Sequence, residues 1–486
     1  IDNKKIKKFN LLHPVNASDI RLTLDEKADF EVIKNLINKF NGNLYFSLKN
    51  ILNLYKTNKN VFSMNKYLTR NEGLNISKGQ KMWKRANSVI PGGTMLFSKN
   101  PNIFLPEKWP AYFSKTKGCK VWDLDNIAFN DISFMGLGTN TLGYSHPNVE
   151  KKVIEVIKKG TMSTLNSTEE ILLAEKLITL HPWAEMAKFT RSGGEANAVA
   201  IRIARAASGK DKVAICGYHG WHDWYLASNI NNNNNLNNHL MRQTPIKGVP
   251  KNLRNTVFSF DYNNYNQLSK IIEEQDIGII KMEVRRNEEP KNNFLQKVRK
   301  LATEKKIILI FDECTSGFRQ TFGGLHKYYK VDPDMAIFGK ALGNGHAINA
   351  IIGKKSIMSC NSSTFVSSTF WTERIGPAAA LETLKIMEKT QSWKIISDIG
   401  KKIKKNWKKI AKENKIKINI YGVDAISNFS FNSKMHNAYK TLISQEMIKN
   451  NILASNVVFT CTSHSENILD KYFYVLNKIF RKINKC

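Results

Sequence analysis

Acidic residues are scarce in this sequence, and so are cysteines placed to pair. Its 486 residues hold 74 Lys+Arg against 41 Asp+Glu, a formal net charge of +33. A surplus of that size attracts polyanions without specificity, so nucleic-acid binding has to be weighed. Against it, the lysines are spread along the chain in company with Asn and Ile, as in 231–235 and 401–417. That is the pattern of a solvated basic surface. The cysteines, Cys119, Cys216, Cys314, Cys360, Cys461 and Cys486, are scattered, with no C-x-x-C pair and no leader pattern. Neither a zinc site nor a disulfide framework is expected, and a reducing cytoplasmic setting is. No run approaches the roughly 18 apolar residues of a membrane span. A small disulfide-stapled domain is excluded by length alone, which at roughly 150 residues per domain allows about three units. The chain begins at Ile1 instead of Met, as expected of a piece of a longer product.

Residues 1–73 alternate short apolar runs with polar turns and carry one helical pattern, Phe30, Val32, Ile33, Leu36 and Ile37. From Gly79 onward strand-like runs alternate with helical periods, which predicts an α/β architecture. Four short apolar runs, Val213–Cys216, Ile277–Met282, Ile307–Phe311 and Met335–Phe338, read as parallel strands buried on both faces. In such sheets ligands gather at the strand ends. A helix is expected over Glu195–Ala207, directly after Ser192-Gly193-Gly194. The final hundred residues read as helix, strands and a last helix, Glu466–Lys482. The Asn-rich stretch 229–238 reads as a flexible surface loop.

Four segments carry chemistry. Ser192-Gly193-Gly194 before a helix offers free N–H groups and the positive end of a dipole, which suit a phosphate, although a plain tight turn looks similar. Gly217-Tyr218-His219-Gly220-Trp221-His222-Asp223 follows a strand. Its imidazoles and carboxylate could suggest a metal, but no further ligand cluster completes a site, and Tyr218 as a stacking surface for a flat cofactor explains it better. Asp312 and Glu313 end a buried strand, a costly place for two carboxylates unless a cation or hydrogen-bond donors await them. Lys340 follows another strand, Met335–Phe338, where the sheet edge should form a pocket. By itself a lysine in so basic a chain is a surface residue. The order of the four is what a phosphorylated aromatic aldehyde requires, and pyridoxal 5′-phosphate fits: donors for its phosphate, a ring for its ring, a carboxylate for its pyridine nitrogen and an amine for its aldehyde.

The segments Ile90-Pro-Gly-Gly93, Val121-Trp-Asp-Leu-Asp125, Leu142-Gly-Tyr-Ser-His-Pro147, Ser192-Gly-Gly-Glu-Ala196, Gly217-Tyr-His-Gly220, Phe311-Asp-Glu313 with Gly317-Phe-Arg319, and Gly339-Lys340 run collinearly through residues 79–486. They resemble the class III pyridoxal-phosphate aminotransferases, nearest the glutamate-1-semialdehyde aminomutase branch. The resemblance implies fold type I, with a large, mostly parallel cofactor-binding domain over 131–385 and a smaller α+β domain made of 74–130 and 386–486. It implies that Lys340 bonds the cofactor aldehyde and Asp312 its pyridine nitrogen, that Tyr218 stacks on the ring, and that Ser192, Gly193 and Gly194 hold the phosphate. It also implies a homodimer in which Thr372 reaches the phosphate across the interface. Glu283 sits at the family's strand-end Glu-Pro and counts among the cofactor-binding positions, but Val284 replaces the proline and Arg285-Arg286 follow. No metal is implied.

One departure bears on the reaction. Aminomutases resemble Gly-Gly-Val-Asn-Ser-Pro-Val-Arg at the entrance strand, where the arginine holds the substrate carboxylate. Here Gly92-Gly93 leads into Thr94-Met-Leu-Phe-Ser-Lys99, and a lysine cannot reproduce the bidentate fork. An intermolecular transaminase is therefore expected, with the aminomutase as the alternative and a non-catalytic polyanion-binding protein as a distant one. Residues 1–73, through Asp19-Ile-Arg-Leu-Thr-Leu-Asp25 and Asp29-Phe-Glu-Val-Ile33, resemble the tail of cytidylyltransferase-like sugar nucleotidyltransferases found with spore-coat and surface-polysaccharide genes. A role in surface-glycan or amino-sugar synthesis would follow.

Overall fold

Apolar runs without a polar face can be strands only where both faces are covered, and the computed structural model of the protein uses them in that way. It describes residues 17, 20–66, 76–239 and 244–485. Strands β1 (Phe113–Lys117), β2 (Lys120–Asp123) and β3 (Ala128–Ile132) form an antiparallel meander. Next come β4 (Met186–Thr190), β5 (Lys212–Cys216), β6 (Val257–Ser259), β7 (Ile277–Glu283), β8 (Ile308–Glu313), β9 (Met335–Phe338) and β10 (Asn349–Gly353). These seven make one sheet in the order β4-β10-β9-β8-β7-β5-β6. The run from β6 to β9 is parallel, while β10 is antiparallel to both its neighbours. The last strands are β11 (Ile418–Tyr421), β12 (Ile426–Phe431), β13 (Ile452–Ala454) and β14 (Val457–Phe459). β11, β12 and β14 form a small sheet, and β13 pairs in parallel with β3, so the C-terminal segment completes the first meander.

Both faces of the large sheet are apolar. On one, Val213, Ile215, Ile279, Ile310 and Ile337 pack against the helix Gly193–Ser208; on the other, Ala214, Ile280, Met282, Leu309 and Phe311 pack against the helix Phe294–Glu304. Burying such a Val, Ile or Phe side chain contributes about 1.5–3 kcal/mol. The run Ile277–Met282 is not wholly apolar, because Lys281 lies in it, fully buried.

Two further expectations need correction. The helix starts at Gly193, not Glu195, because Ser192 caps it in a capping box with Glu195, drawing both glycines into its first turn. The Asn-rich stretch is a folded turn, not a loose loop. Asn229 and Leu236 are buried, Asn229 accepts from the Leu236 N–H at 3.0 Å, and Asn235 donates to the Ser228 carbonyl at 2.7 Å. Asparagine side chains here substitute for the backbone partners that a turn lacks.

By contact the chain divides into residues 1–77 and 78–486. The smaller unit has its own core, in which Val32, Leu36, Ile51, Leu52 and Phe62 come together from the helices Lys27–Lys39 and Leu48–Thr57 and the turn after them. Phe30 of the helical pattern is 54% exposed, so the buried face runs through Val32 and Leu36. A buried carboxylate, Asp29, accepts from Arg21, Thr23 and Asn65. Asp19 lies outside the described residues. No described helix is long and apolar enough to cross a membrane.

Candidate active site

Strand alternation separates the two carboxylates that end β8. Glu313 faces away from the helix Gly193–Ser208 and accepts from the His326 ring at 2.6 Å, the Ser316 hydroxyl at 2.9 Å and the His326 N–H at 3.0 Å, holding the 324–326 turn in place. Asp312 faces the other way, in register with Glu283 on β7 and Ile337 on β9. Its Oδ2 lies 2.9 Å from His219 Nδ1, and its Oδ1 accepts from the Cys314 N–H at 3.1 Å. Burial pushes this carboxyl up, but the His219 hydrogen bond, the Lys281 charge and the Cys314 N–H outweigh it and hold Asp312 well below the usual carboxylate range. Burial also pulls His219 down to about 4, so the ring is neutral and donates from Nδ1, leaving Nε2 without a partner among the described residues.

Lys340 leaves β9 two residues after Phe338 with φ +38°, a conformation that costs a non-glycine residue on the order of 1–3 kcal/mol. Its Nζ donates to Thr315 Oγ1 at 2.6 Å. Burial first, and the Arg286 charge second, pull the ammonium down to about 8. Because β8 and β9 are adjacent and parallel, Asp312 and Lys340 emerge from the same sheet edge, and both act electrostatically on Cys314 and Glu283.

The strand β5 ends on the same edge and delivers Gly217 and Tyr218. Gly217 has φ +109°, and a Cβ there would lie 2.6 Å from Glu283 Oε2. The close approach lets Glu283 accept the Tyr218 N–H at 3.2 Å, while burial raises the Glu283 pKa. Arg286 sits 3.4 Å from Glu283 and 5.8 Å from the centroid of the Tyr218 ring. At the start of the helix Gly193–Ser208, a Cβ on Gly194 would lie 2.8 Å from His222 Cε1, and one on Gly220 3.0 Å from the Gly194 Cα. The loop 217–222 is thus laid directly against the glycine turn. Gly193 and Gly194 occupy the first helical positions, whose N–H groups have no partner within the helix.

Thr372 is exposed and donates to Thr369 O at 2.8 Å within its own turn. Among the described residues it has no hydrogen bond to 192–194, in contrast to the other expected positions, which converge. Lys99 ends a 3-10 turn, Phe97–Lys99, and lines a cavity of about 890 Å³ together with His146, Glu150, Asn140 and His346, a cavity that Lys340, Asp312 and Tyr218 do not line. Sequence reasoning missed Thr315, the pairing of His219 with Asp312, and Lys281. For His219 the signal was present, one residue after the stacking tyrosine; for Thr315 there was none.

The profile of the class-III aminotransferase family matches residues 106–460. The chain belongs to the class III aminotransferases. A 3-aminobutyryl-CoA aminotransferase from Cloacimonas acidaminovorans is 30% identical over 82% of this chain and 95% of its own length. A glutamate-1-semialdehyde 2,1-aminomutase from Sulfurisphaera tokodaii is 30% identical over 83% of this chain and all of its own length (100%). Among solved structures, an omega-transaminase from Sphaerobacter thermophilus superposes with a TM-score of 0.74 at 20% identity, covering 84% of this chain and 98% of that one. A Sphingopyxis protein solved with bound PLP superposes equally well, with a TM-score of 0.74 at 22% identity, covering 84% and 96%. These likenesses establish the fold as that of the fold type I transaminases.

This aminotransferase depends on pyridoxal 5′-phosphate, as its family does. The residues fit that group. Gly193 and Gly194 stand at the first positions of their helix, whose N–H groups have no partner within it and suit a phosphate, Asp312 is a buried carboxylate kept ionised for a ring nitrogen, and Lys340 offers an amine at the same edge.

Proposed function

We propose that the protein moves an amino group between two different molecules, with Lys340 and Asp312 as catalytic residues and Ser192, Gly193, Gly194, Tyr218 and Glu283 holding the cofactor. When bound, the cofactor supplies an electron sink for the pair of electrons left on the substrate carbon as its proton departs. The rest is the work of this chain. Asp312 keeps a buried negative charge that would hold the proton on the ring nitrogen. His219 and the Cys314 N–H hold that carboxylate in place by hydrogen bonds, without giving up a full proton to it. Lys340, its ammonium pulled down to about 8 by burial, is more easily deprotonated at its Nζ than a free lysine, so it serves as the amine nucleophile and then as the base that takes and returns a proton at the substrate carbon. Thr315 steadies that amine.

The observation that carries the intermolecular reading is the sequence departure at Lys99, the residue at the aminomutases' arginine position. An ammonium there attracts a carboxylate but does not clamp it as a planar fork does. The test is to feed glutamate-1-semialdehyde and, separately, a panel of amino donors including amino sugars with a keto acid. Turnover that requires both donor and acceptor supports the reading. Rapid 5-aminolevulinate formation without an acceptor overturns it in favour of the aminomutase.

Three finer assignments belong with this proposal. The enzyme is a homodimer, and Thr372, exposed in its own chain, reaches the phosphate of the second copy. Residues 1–73 resemble part of a sugar nucleotidyltransferase-like domain; the hydrogen bond of Arg21 to the buried Asp29, both within the segments that carry the resemblance, supports their folding together. Their presence on one chain points to amino-sugar or surface-polysaccharide synthesis in the cytoplasm.

A further inference from the structure

Lys281 is an anomaly in the best-covered strand of the protein. It is fully buried in the middle of the large sheet, and its Nζ has no hydrogen-bond partner among the described residues. A buried ammonium without a partner is among the costliest groups a core can hold, and a methionine or leucine of similar volume would remove the cost. Its placement shows what the charge faces. On β7, Lys281 stands two residues before Glu283, which pairs with Asp312. The alternation of side chains puts Lys281, Glu283 and Asp312 on one face of the sheet, beneath the helix Gly193–Ser208, with Cα atoms of Lys281 and Asp312 roughly 8 Å apart by strand geometry. The groups that act on it are Asp312 and Cys314 from β8 and its end and Glu283 from its own strand; Lys281 in turn acts on His219 from the loop after β5. Above the same edge stand Lys340 and Arg286. On the helix side, Asn197 Oδ1 is likewise buried without a partner.

We propose that Lys281 is a positioning residue acting on Asp312 and its surroundings: its buried positive charge keeps that carboxylate ionised and lowers the proton affinity of the His219 imidazole beside it and, in the loaded enzyme, of the bound cofactor. The assignment rests on the reading of Asp312 and Lys340 given above. It is independent of which amino donor is used. In other proteins such a strand position can be filled by any apolar residue; here the cation makes the site more electropositive than the Asp312–His219 pair alone would.

The test uses Lys281→Met and, should that variant fold poorly, Lys281→Gln, which keeps polarity and length without charge. In the enzyme loaded with pyridoxal 5′-phosphate, the pH midpoint of the cofactor's visible absorption moves up by about one unit, the effect of removing one charge at this separation in a partly polar interior. In the cofactor-free protein, nitrogen NMR of the imidazoles shows the His219 midpoint rising from its present value of about 4. Both midpoints unchanged in a folded variant, or either moving down, would overturn the proposal and leave Lys281 a structural residue. A protein that takes up no coloured cofactor sinks the reading of Lys340 instead, while the His219 measurement still decides the role of Lys281.

Discussion

Replacing Gly217 by alanine tests how tightly the site's backbone is built. At φ +109° an L-residue is strained by roughly 1–3 kcal/mol. The carbonyl of Gly217 is fixed by the Tyr225 hydroxyl at 3.0 Å and by His239 Nδ1 at 2.8 Å, so the turn cannot relax to relieve that strain. The new Cβ would also meet Glu283 Oε2 at 2.6 Å, pushing the carboxylate off the Tyr218 N–H. Losing a hydrogen bond to a buried acceptor costs a further ~1–3 kcal/mol. Together the substitution should cost about 2–6 kcal/mol in urea unfolding of the cofactor-free enzyme. A double-mutant cycle separates the two parts: in a Glu283→Ala background the collision is gone, and only the backbone share of about 1–3 kcal/mol should remain. If Gly217→Ala costs the same with and without Glu283, the contact has no energetic meaning. If it costs less than about 0.5 kcal/mol in both, the strain argument fails as well.

Leu236→Ala, inside the Asn-rich stretch, should destabilise the protein by about 2–4 kcal/mol in the same assay, whereas a loose surface loop would give no measurable change. The neighbouring carboxylates should part company. Asp312→Asn should lower kcat/KM on the order of 10³-fold with the fold intact, while Glu313→Gln should cost about 3 kcal/mol of stability and leave the bound cofactor's spectrum unchanged. The buried histidines His181, His219 and His464 are each pulled down to about 4 by burial. A base with a lowered pKa in the native state binds fewer protons there than in the unfolded chain, so stability is lost as pH falls from about 6.5 toward 4. Urea midpoints at pH 7 and pH 5 should differ accordingly, and His181→Phe should reduce the difference; equal midpoints at the two pH values would contradict it.

How far the sequence could be read depended on how local the cause was. β5, β7, β8 and β9 were visible because a parallel strand covered on both faces needs a continuous apolar run, and their ends delivered Tyr218, Asp312 and Lys340 without knowledge of the pairing order. β10 runs against its neighbours and β4 carries a lysine in its middle, so neither stood out as such a run. Ser192 and Glu195 announced the helix, but the capping box that draws Gly193 and Gly194 into it is a property of backbone geometry. Thr315 is bound to Lys340 only because the turn after β8 brings it under β9, a contact across 25 residues with no periodic trace. Lys281 passed for part of an apolar run because five neighbours outvote one charge in any averaged reading. Its significance appears only when burial and the register with Asp312 are known.

The central claim is that Lys340, and no other lysine of so many, bonds the cofactor. Reduction of the cofactor-loaded enzyme with borohydride, followed by proteolysis and mass spectrometry, reads this directly. The account predicts a phosphopyridoxyl group on the peptide containing Lys340 and no other labelled peptide, Lys281 included. Label on another lysine with Lys340 unmodified, or none on a protein that binds the cofactor, would contradict it.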